Sequence, residues 1–174
     1  MKMTILTKLT RLALTLLVAV SLTGCAGYQL GSMLPDDIKT VAVPTFINKT
    51  KEPLLEVDCT QAAIEEFQRD GSLKVVSEDQ ADAVLEVVLI EFTQAPLAYE
   101  KTRRTAAQEY RMTIYAGMVL KRKSDGSIIS QYPRVRGEAA FELIGDLSSS
   151  KLRVLPVAAE DLAHQIVERV VEAW

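Results

Sequence analysis

The sequence predicts an α+β domain: a mostly antiparallel four-stranded sheet with two helices packed on one face, following an N-terminal signal peptide. Three observations carry this reading. Residues 109–121 alternate apolar and polar side chains with the period of a strand, and Ser124-Asp125-Gly126 supplies the tight turn that returns the chain along 127–141. The run from Ala83 to Phe92 is apolar and rich in Val, Leu and Ile over the length of one strand. Two stretches, 53–69 and 156–174, repeat apolar residues at helical spacing. The chain divides into residues 1–24 as signal peptide, 25–37 as tether and 38–174 as a single domain.

The elements follow in order. Ile38–Val43 is rich in β-branched residues and reads as a strand ending at Pro44. Pro53 suits the first position of a helix, which runs to about Arg69 and stops at Asp70-Gly71. Leu54, Val57, Ile64 and Phe67 form its expected apolar stripe. A brief strand, Leu73–Val76, leads to Ala83–Phe92, which is apolar on both faces. Val84, Val88, Ile90 and Phe92 lie on one side, and Leu85, Val87 and Leu89 on the other. A half-solvated strand alternates, so this one is either central with both faces covered or turns its outer face to a partner. Val88 and Leu89 are the candidate partner-surface residues, one for each face. In the return strand Val135, Ala139 and Phe141 oppose Arg134, Arg136 and Glu138, and Pro133 points to an edge or a bulge. A loop over 145–150 precedes the last helix, which opens near Pro156 with Leu162, Ile166 and Val170 on one row.

The N-terminus determines the setting. Lys2, Lys8 and Arg11 precede a short uncharged apolar run ending in Leu22-Thr23-Gly24-Cys25. A basic start, a brief apolar middle and a small-residue exit describe a signal peptide, since the run is short for a membrane span. Leu-Thr-Gly-Cys resembles a bacterial lipobox. That resemblance implies lipidation (palmitate included) at Cys25, cleavage before it, and a membrane anchor of several acyl chains, which exceeds the two signals that stable anchoring needs. Ala26, where inner-membrane retention signals carry Asp, implies by the same resemblance the outer membrane, with the domain facing the periplasm or within a barrel lumen; the residues leave the face open. Cys59 is then left without a disulfide partner and reads as a small buried hydrophobe in a helix.

Charge and motif content exclude several function classes. The chain has 20 Lys+Arg and 23 Asp+Glu, a formal net charge of −3, which argues against general nucleic-acid binding. The charges are unevenly placed. Asp36–Glu100 holds five basic and 14 acidic residues, whereas Lys101–Arg153 holds 11 basic and five acidic. The basic middle is either a contact for an anionic ligand or the solvated face of a sheet. The one histidine, His164, lies on the polar flank of a helix without a ligand-spaced partner. No nucleophile elbow or glycine-rich phosphate loop is present, and Glu65-Glu66 and Glu160-Asp161 point in different directions on helices. The expectation is a protein that is not an enzyme and uses no metal or cofactor.

Cys25-Ala-Gly-Tyr-Gln-Leu, Ile38-Lys-Thr-Val-Ala-Val-Pro-Thr-Phe, Ala81-Asp-Ala-Val-Leu-Glu and Gln108-Glu-Tyr-Arg-Met, in this order of elements, resemble the lipopolysaccharide-assembly lipoproteins of the LptE family over residues 22–173. The polar tail that some members carry after the last helix is absent. The resemblance implies a domain inside the lumen of the outer-membrane β-barrel that inserts lipopolysaccharide, with barrel and lipid as partners. A ligand bearing phosphates and carboxylates calls for Lys and Arg, the latter for its bidentate fork. Lys101, Arg103 and Arg104, with Lys151 and Arg153, are the candidates, on connecting loops that could converge at one end of the domain. The rival reading is a periplasm-facing lipoprotein of similar layout that activates a peptidoglycan synthase or builds a secretion channel. Those families share the opening strand but do not call for Gly27-Tyr28 together with Glu109-Tyr-Arg-Met112.

Overall fold

The computed structural model describes residues 34–97, 109–143 and 146–172. Cys25, Lys101, Arg103 and Arg104 lie outside the described residues. The elements are β1 (Thr40–Ala42), β2 (Ile47–Asn48), α1 (Leu55–Asp70), β3 (Lys74–Val75), a 3₁₀ turn (Glu78–Gln80), β4 (Ala83–Pro96), β5 (Glu109–Arg122), β6 (Ile128–Glu142) and α2 (Leu147–Val171). The class is α+β with two helices, but the sheet corrects the four-stranded antiparallel expectation. It has six strands and is mixed, in the order β3-β1-β4-β5-β6, with β2 also on β4. The short strands β1, β2 and β3 all pair in parallel, whereas β4-β5-β6 is an antiparallel meander. Two-residue strands carry no periodicity, so β2 was not legible in the sequence.

The helices and the inner sheet face share one core. Ala83, Leu85, Val87 and Leu89 of β4, Met112, Ile114, Ala116, Met118 and Leu120 of β5, and Leu155, Leu162 and Ile166 of α2 are buried in it. On α1 the buried row is Leu55, Cys59, Ala63 and Phe67, four residues apart. This corrects the expected stripe, because Leu54 and Val57 are exposed. Leu54 sits before the helix in a left-handed conformation (φ 62°), which turns its side chain outward and moves the helix start from Pro53 to Leu55. Gly71 ends α1 at φ 75°, donating its N–H to the Phe67 carbonyl at 3.0 Å.

Two further corrections concern β4 and α2. The β4–β5 register shifts between Leu89 and Glu91, a bulge that reverses the inward set from odd to even residues. Phe92 therefore faces Ile114 on the core side, opposite to the face that alternation assigns it. Helix α2 begins at Leu147, nine residues before Pro156. Asp146 caps it by accepting the Ser149 N–H at 2.9 Å, which satisfies one of the first-turn donors. Pro156 lies inside the helix on its exposed side, so the carbonyl of Leu152 that it leaves without an N–H donor meets solvent. Lys151 and Arg153 consequently lie in the first turns of α2 and not on a loop.

Close packing joins α2 to β6. A Cβ at Gly137 would stand 2.3 Å from the Leu162 nitrogen and 2.5 Å from the Ala158 carbonyl oxygen. Only glycine allows the helix backbone to approach this near. Beside it, the Glu138 backbone N–H donates to the Asp161 carboxylate at 2.8 Å, satisfying an edge-strand donor from the helix. At the other side of the sheet Asp82 accepts the N–H groups of Lys39 and Thr40 and the Thr40 hydroxyl, at 2.7–3.0 Å, locking β1 to β4. These donors, led by the Thr40 hydroxyl, hold its carboxyl below the ordinary range.

Candidate partner interface

The helices cover one face of the sheet; among the described residues nothing covers the other. The long meander dictates this face. On β4 it carries Val84, Glu86, Val88, Ile90 and Glu91, on β5 Arg111, Tyr115, Val119 and Lys121, and on β6 Arg134, Arg136 and Glu138. Of the two candidate partner-surface residues, Val88 is half-buried here and Leu89 is fully buried beneath the helices. Val88 opposes Gly117, whose missing side chain leaves room for Ile90, 3.5 Å from the place a Cβ would take. Ile90 itself stays exposed, as does Ile128 at the start of β6.

The charges on this face are paired, mostly across strands, with Arg136 and Glu138 two residues apart on β6. Lys121 reaches Glu86 at 2.6 Å and Arg134 reaches Glu91 at 2.8 Å, while Arg111 and Arg136 approach Glu138 at 3.8 and 3.6 Å. The Arg134 guanidinium also stacks on the Tyr115 ring, 3.8 Å from its centroid. Such exposed pairs stabilise a fold little, but they neutralise a surface and lower the cost of drying it against a partner. The result is aliphatic and aromatic patches between compensated charges. The register that aligns Glu91 with Tyr115, and Tyr115 with Arg136, was the missing signal: without it Arg134 reads as one more solvated cation.

The same pairing accounts for much of the basic middle segment. Arg122 pairs with Asp37, and Lys123 donates to the Glu78 carbonyl. Lys151 donates to Glu52 at 2.7 Å, tying the start of α2 to the loop before α1. Arg153 contacts the Ser149 carbonyl and, at 3.2 Å, the Ser150 hydroxyl, and is exposed. One part of the expected convergence has a topological counterpart. Leu97 donates to the Glu109 carbonyl, Glu109 pairs with Glu142, and α2 starts five residues beyond. The ends flanking residues 98–108 and the start of α2 therefore share one end of the sheet. Leu34–Ile38 stands at the opposite end, where Asp37 meets Arg122.

Other candidates resolve into structure. His164 lies 3.0 Å from the Glu66 carboxylate across the α1–α2 seam, and that contact raises its pKa above the ordinary 6.5. Burial pushes the Cys59 thiol up to about 12, helped by Asp58 and Glu56, so it stays protonated. Among the described residues no three His, Cys, Asp or Glu side chains are grouped to hold a metal ion. No described helix is long and apolar enough to cross a membrane. A cleft of about 400 Å³ beside Asp37, Asp82, Arg122 and Lys123 carries charges of both signs.

The chain is a small α+β domain that hides one sheet face under two helices and, among the described residues, leaves the other open. Residues 38–171 match the model of the LptE family, described as lipopolysaccharide-assembly, and the chain belongs to that family. No curated protein matches the chain at a significant level. Among solved structures, the PelC dodecamer from Paraburkholderia phytofirmans is 12% identical, with 83% of this chain and 95% of that chain covered and a TM-score of 0.52. Protein XCC0632 from Xanthomonas campestris is 10% identical, covering 76% and 84%, with a TM-score of 0.54. Protein CT253 from Chlamydia trachomatis is 12% identical, covering 76% and 95%, with a TM-score of 0.53. At these identities the likeness is one of fold.

Proposed function

We propose that this chain is an outer-membrane lipoprotein, anchored through Cys25, that plugs and assists assembly of the β-barrel translocon for lipopolysaccharide and helps deliver the lipid to the outer membrane. Family membership supports lipopolysaccharide assembly, and the observation that carries the plug role is the uncovered face of β4–β6. Strands of 14 and 15 residues at about 3.3 Å per residue extend for about 45–50 Å, comparable to the 40–45 Å of a bilayer with its headgroups. A rigid sheet of that length, with neutralised charges and aliphatic patches, fits against a barrel wall along its whole height. The tether enters at the Leu34 end; Lys101, Arg103 and Arg104 fall in the segment 98–108 that joins the far ends of β4 and β5, and Arg153 lies in the first turns of α2 at that same end. There they meet phosphates or carboxylates of lipopolysaccharide in this reading, with Lys151 held back by Glu52.

The experiment is co-expression of the tagged full chain with the lipopolysaccharide-translocon barrel of its host, followed by detergent purification. Wild type is expected to retain the barrel, and Val88→Asp to lose it while keeping its melting temperature within a few degrees. Recovery of a peptidoglycan synthase or a homo-oligomeric ring in place of the barrel would favour the rival reading.

A further inference from the structure

The sheet has an opening in its middle. On the side of β4 away from β5, β1 pairs with Val41↔Ala83 and Ala42↔Val84, and β2 with Ile47↔Val88 and Asn48↔Leu89. The Lys49 N–H makes the last bond on this side, to the Leu89 carbonyl at 3.0 Å, and the chain then turns away through Asn48, whose side-chain oxygen accepts from the Thr50 N–H and hydroxyl. Strand β4 continues for seven residues past Leu89, to Pro96. Among the described residues, none pairs with that stretch on the open side.

The bulge decides which groups are left there. Because the Leu97 N–H bonds to the Glu109 carbonyl, the residues two apart from Leu97, namely Ala95, Thr93 and Glu91, direct their backbone groups to β5. Phe92 and Gln94 then direct an N–H and a C=O outward, and Pro96 a C=O alone. A second observation lies at the same place. The Gln94 side chain, which the bulge turns to the helix side of this edge opposite Met112, has a buried nitrogen with no hydrogen-bond partner among the described residues, although a buried amide donor normally has one. An edge of this length, with an orphan donor beside it, is a template for another strand.

We propose that residues 92–96 of β4 accept an extended segment of the partner polypeptide as an added strand, in line with β2, and that a carbonyl or carboxylate of that segment takes the Gln94 amide. The occupant is a polypeptide and not a lipid. Outward N–H and C=O groups repeating every second residue are matched by another backbone, whereas an acyl chain offers them nothing and a phosphate takes only the donors. The added strand places the partner at the sheet's edge, next to the open face. This inference rests on the plug reading and names the contact through which a loop of the barrel, turned into its lumen, would hold the domain.

Hydrogen exchange of the full chain, alone and in the purified complex with the co-expressed barrel, tests it. The Phe92 and Gln94 amides are expected to exchange at least tenfold more slowly in the complex, with Thr93 already protected by β5 in both. Gln94→Pro removes one outward donor, a change edges tolerate, and is expected to lower barrel retention at least tenfold, with Gln94→Ala intermediate. Unchanged exchange at Phe92 and Gln94 in an intact complex would overturn the edge contact and leave the plug reading standing. Protection of these amides by lipopolysaccharide vesicles without the barrel would overturn the choice of a polypeptide. Failure of wild type to retain any barrel would instead overturn the plug reading.

Discussion

Gly137 shows how one residue sets the distance between layers. The α2 backbone occupies the space of its Cβ, so Gly137→Ala must push the helix off β6. The expected cost is about 2–3 kcal/mol, read as a lower midpoint in urea unfolding with little change in slope. A substitution that left the midpoint unchanged would contradict the close approach. Cys59 makes a chemical prediction: with its thiol held near 12 and buried, it is expected to resist a thiol reagent at pH 8 until the protein unfolds. His164 makes one about pH. Its folded pKa is raised by Glu66, with Glu168 and Asp161 adding to the effect, so the stabilisation is full below the ordinary value of 6.5 and is lost as pH rises through the folded value. The difference in melting temperature between wild type and His164→Ala is expected to shrink between pH 5.5 and 8.5; a difference independent of pH would assign the contact to neutral packing.

At the level of elements, β4 carries the argument. Leu89→Asp places an unpaired charge in the core and is expected to cost about 3 kcal/mol or more, whereas Val88→Asp, one residue along and on the other face, is expected to leave the fold nearly intact. Equal melting temperatures for the two variants would contradict the assignment of faces. The sequence made the strand and its two apolar faces plain, because a run of Val, Leu and Ile needs no register to be recognised. It did not reveal the bulge at Ile90, since an extra residue changes which side chains point inward without changing composition. The beginning of α2 was hidden for a related reason. Pro156 is the stronger local signal in the sequence, yet the Asp146 cap starts the helix nine residues before it, and with it Lys151 and Arg153 move from loop to helix. On α1 the large aliphatics Leu54 and Val57 drew the expected stripe, whereas Cys59 and Ala63 form the real one; small residues at a helix seam contribute by closeness more than by area.

Across the whole molecule, the division is between a helix-covered face that makes the core and a face that is bare among the described residues, the one the proposed function sets against a partner. The antiparallel meander, both helices and the short strands β1 and β3 were legible from periodicity, composition and turn chemistry, while β2 and the parallel pairing of all three short strands depend on contacts distant in sequence. The charge reversal at Lys101–Arg153 was visible, but its meaning was not, because cross-strand pairing consumes Arg111, Lys121 and Arg134 only once the register is known. What remains for an anionic lipid is a smaller set at one end. Arg153→Glu combined with Arg103→Glu and Arg104→Glu is expected to weaken binding of purified lipopolysaccharide at least fivefold without altering the melting temperature, and added salt to weaken wild-type binding. Binding equal to wild type would limit the protein to supporting its barrel.

The central claim is that the bare sheet face lies against a barrel wall, and a photo-crosslinking amino acid at Val88 addresses it most directly. In cells, irradiation is expected to join the full chain covalently to the lipopolysaccharide-translocon barrel, giving an adduct whose migration changes on heating as a folded barrel's does. The same group placed at Thr93 and at Val119 is expected to capture the same protein, since both belong to this face. Crosslinks from Val88 to a second copy of the chain or to a periplasmic synthase, with none to a barrel, would contradict the account.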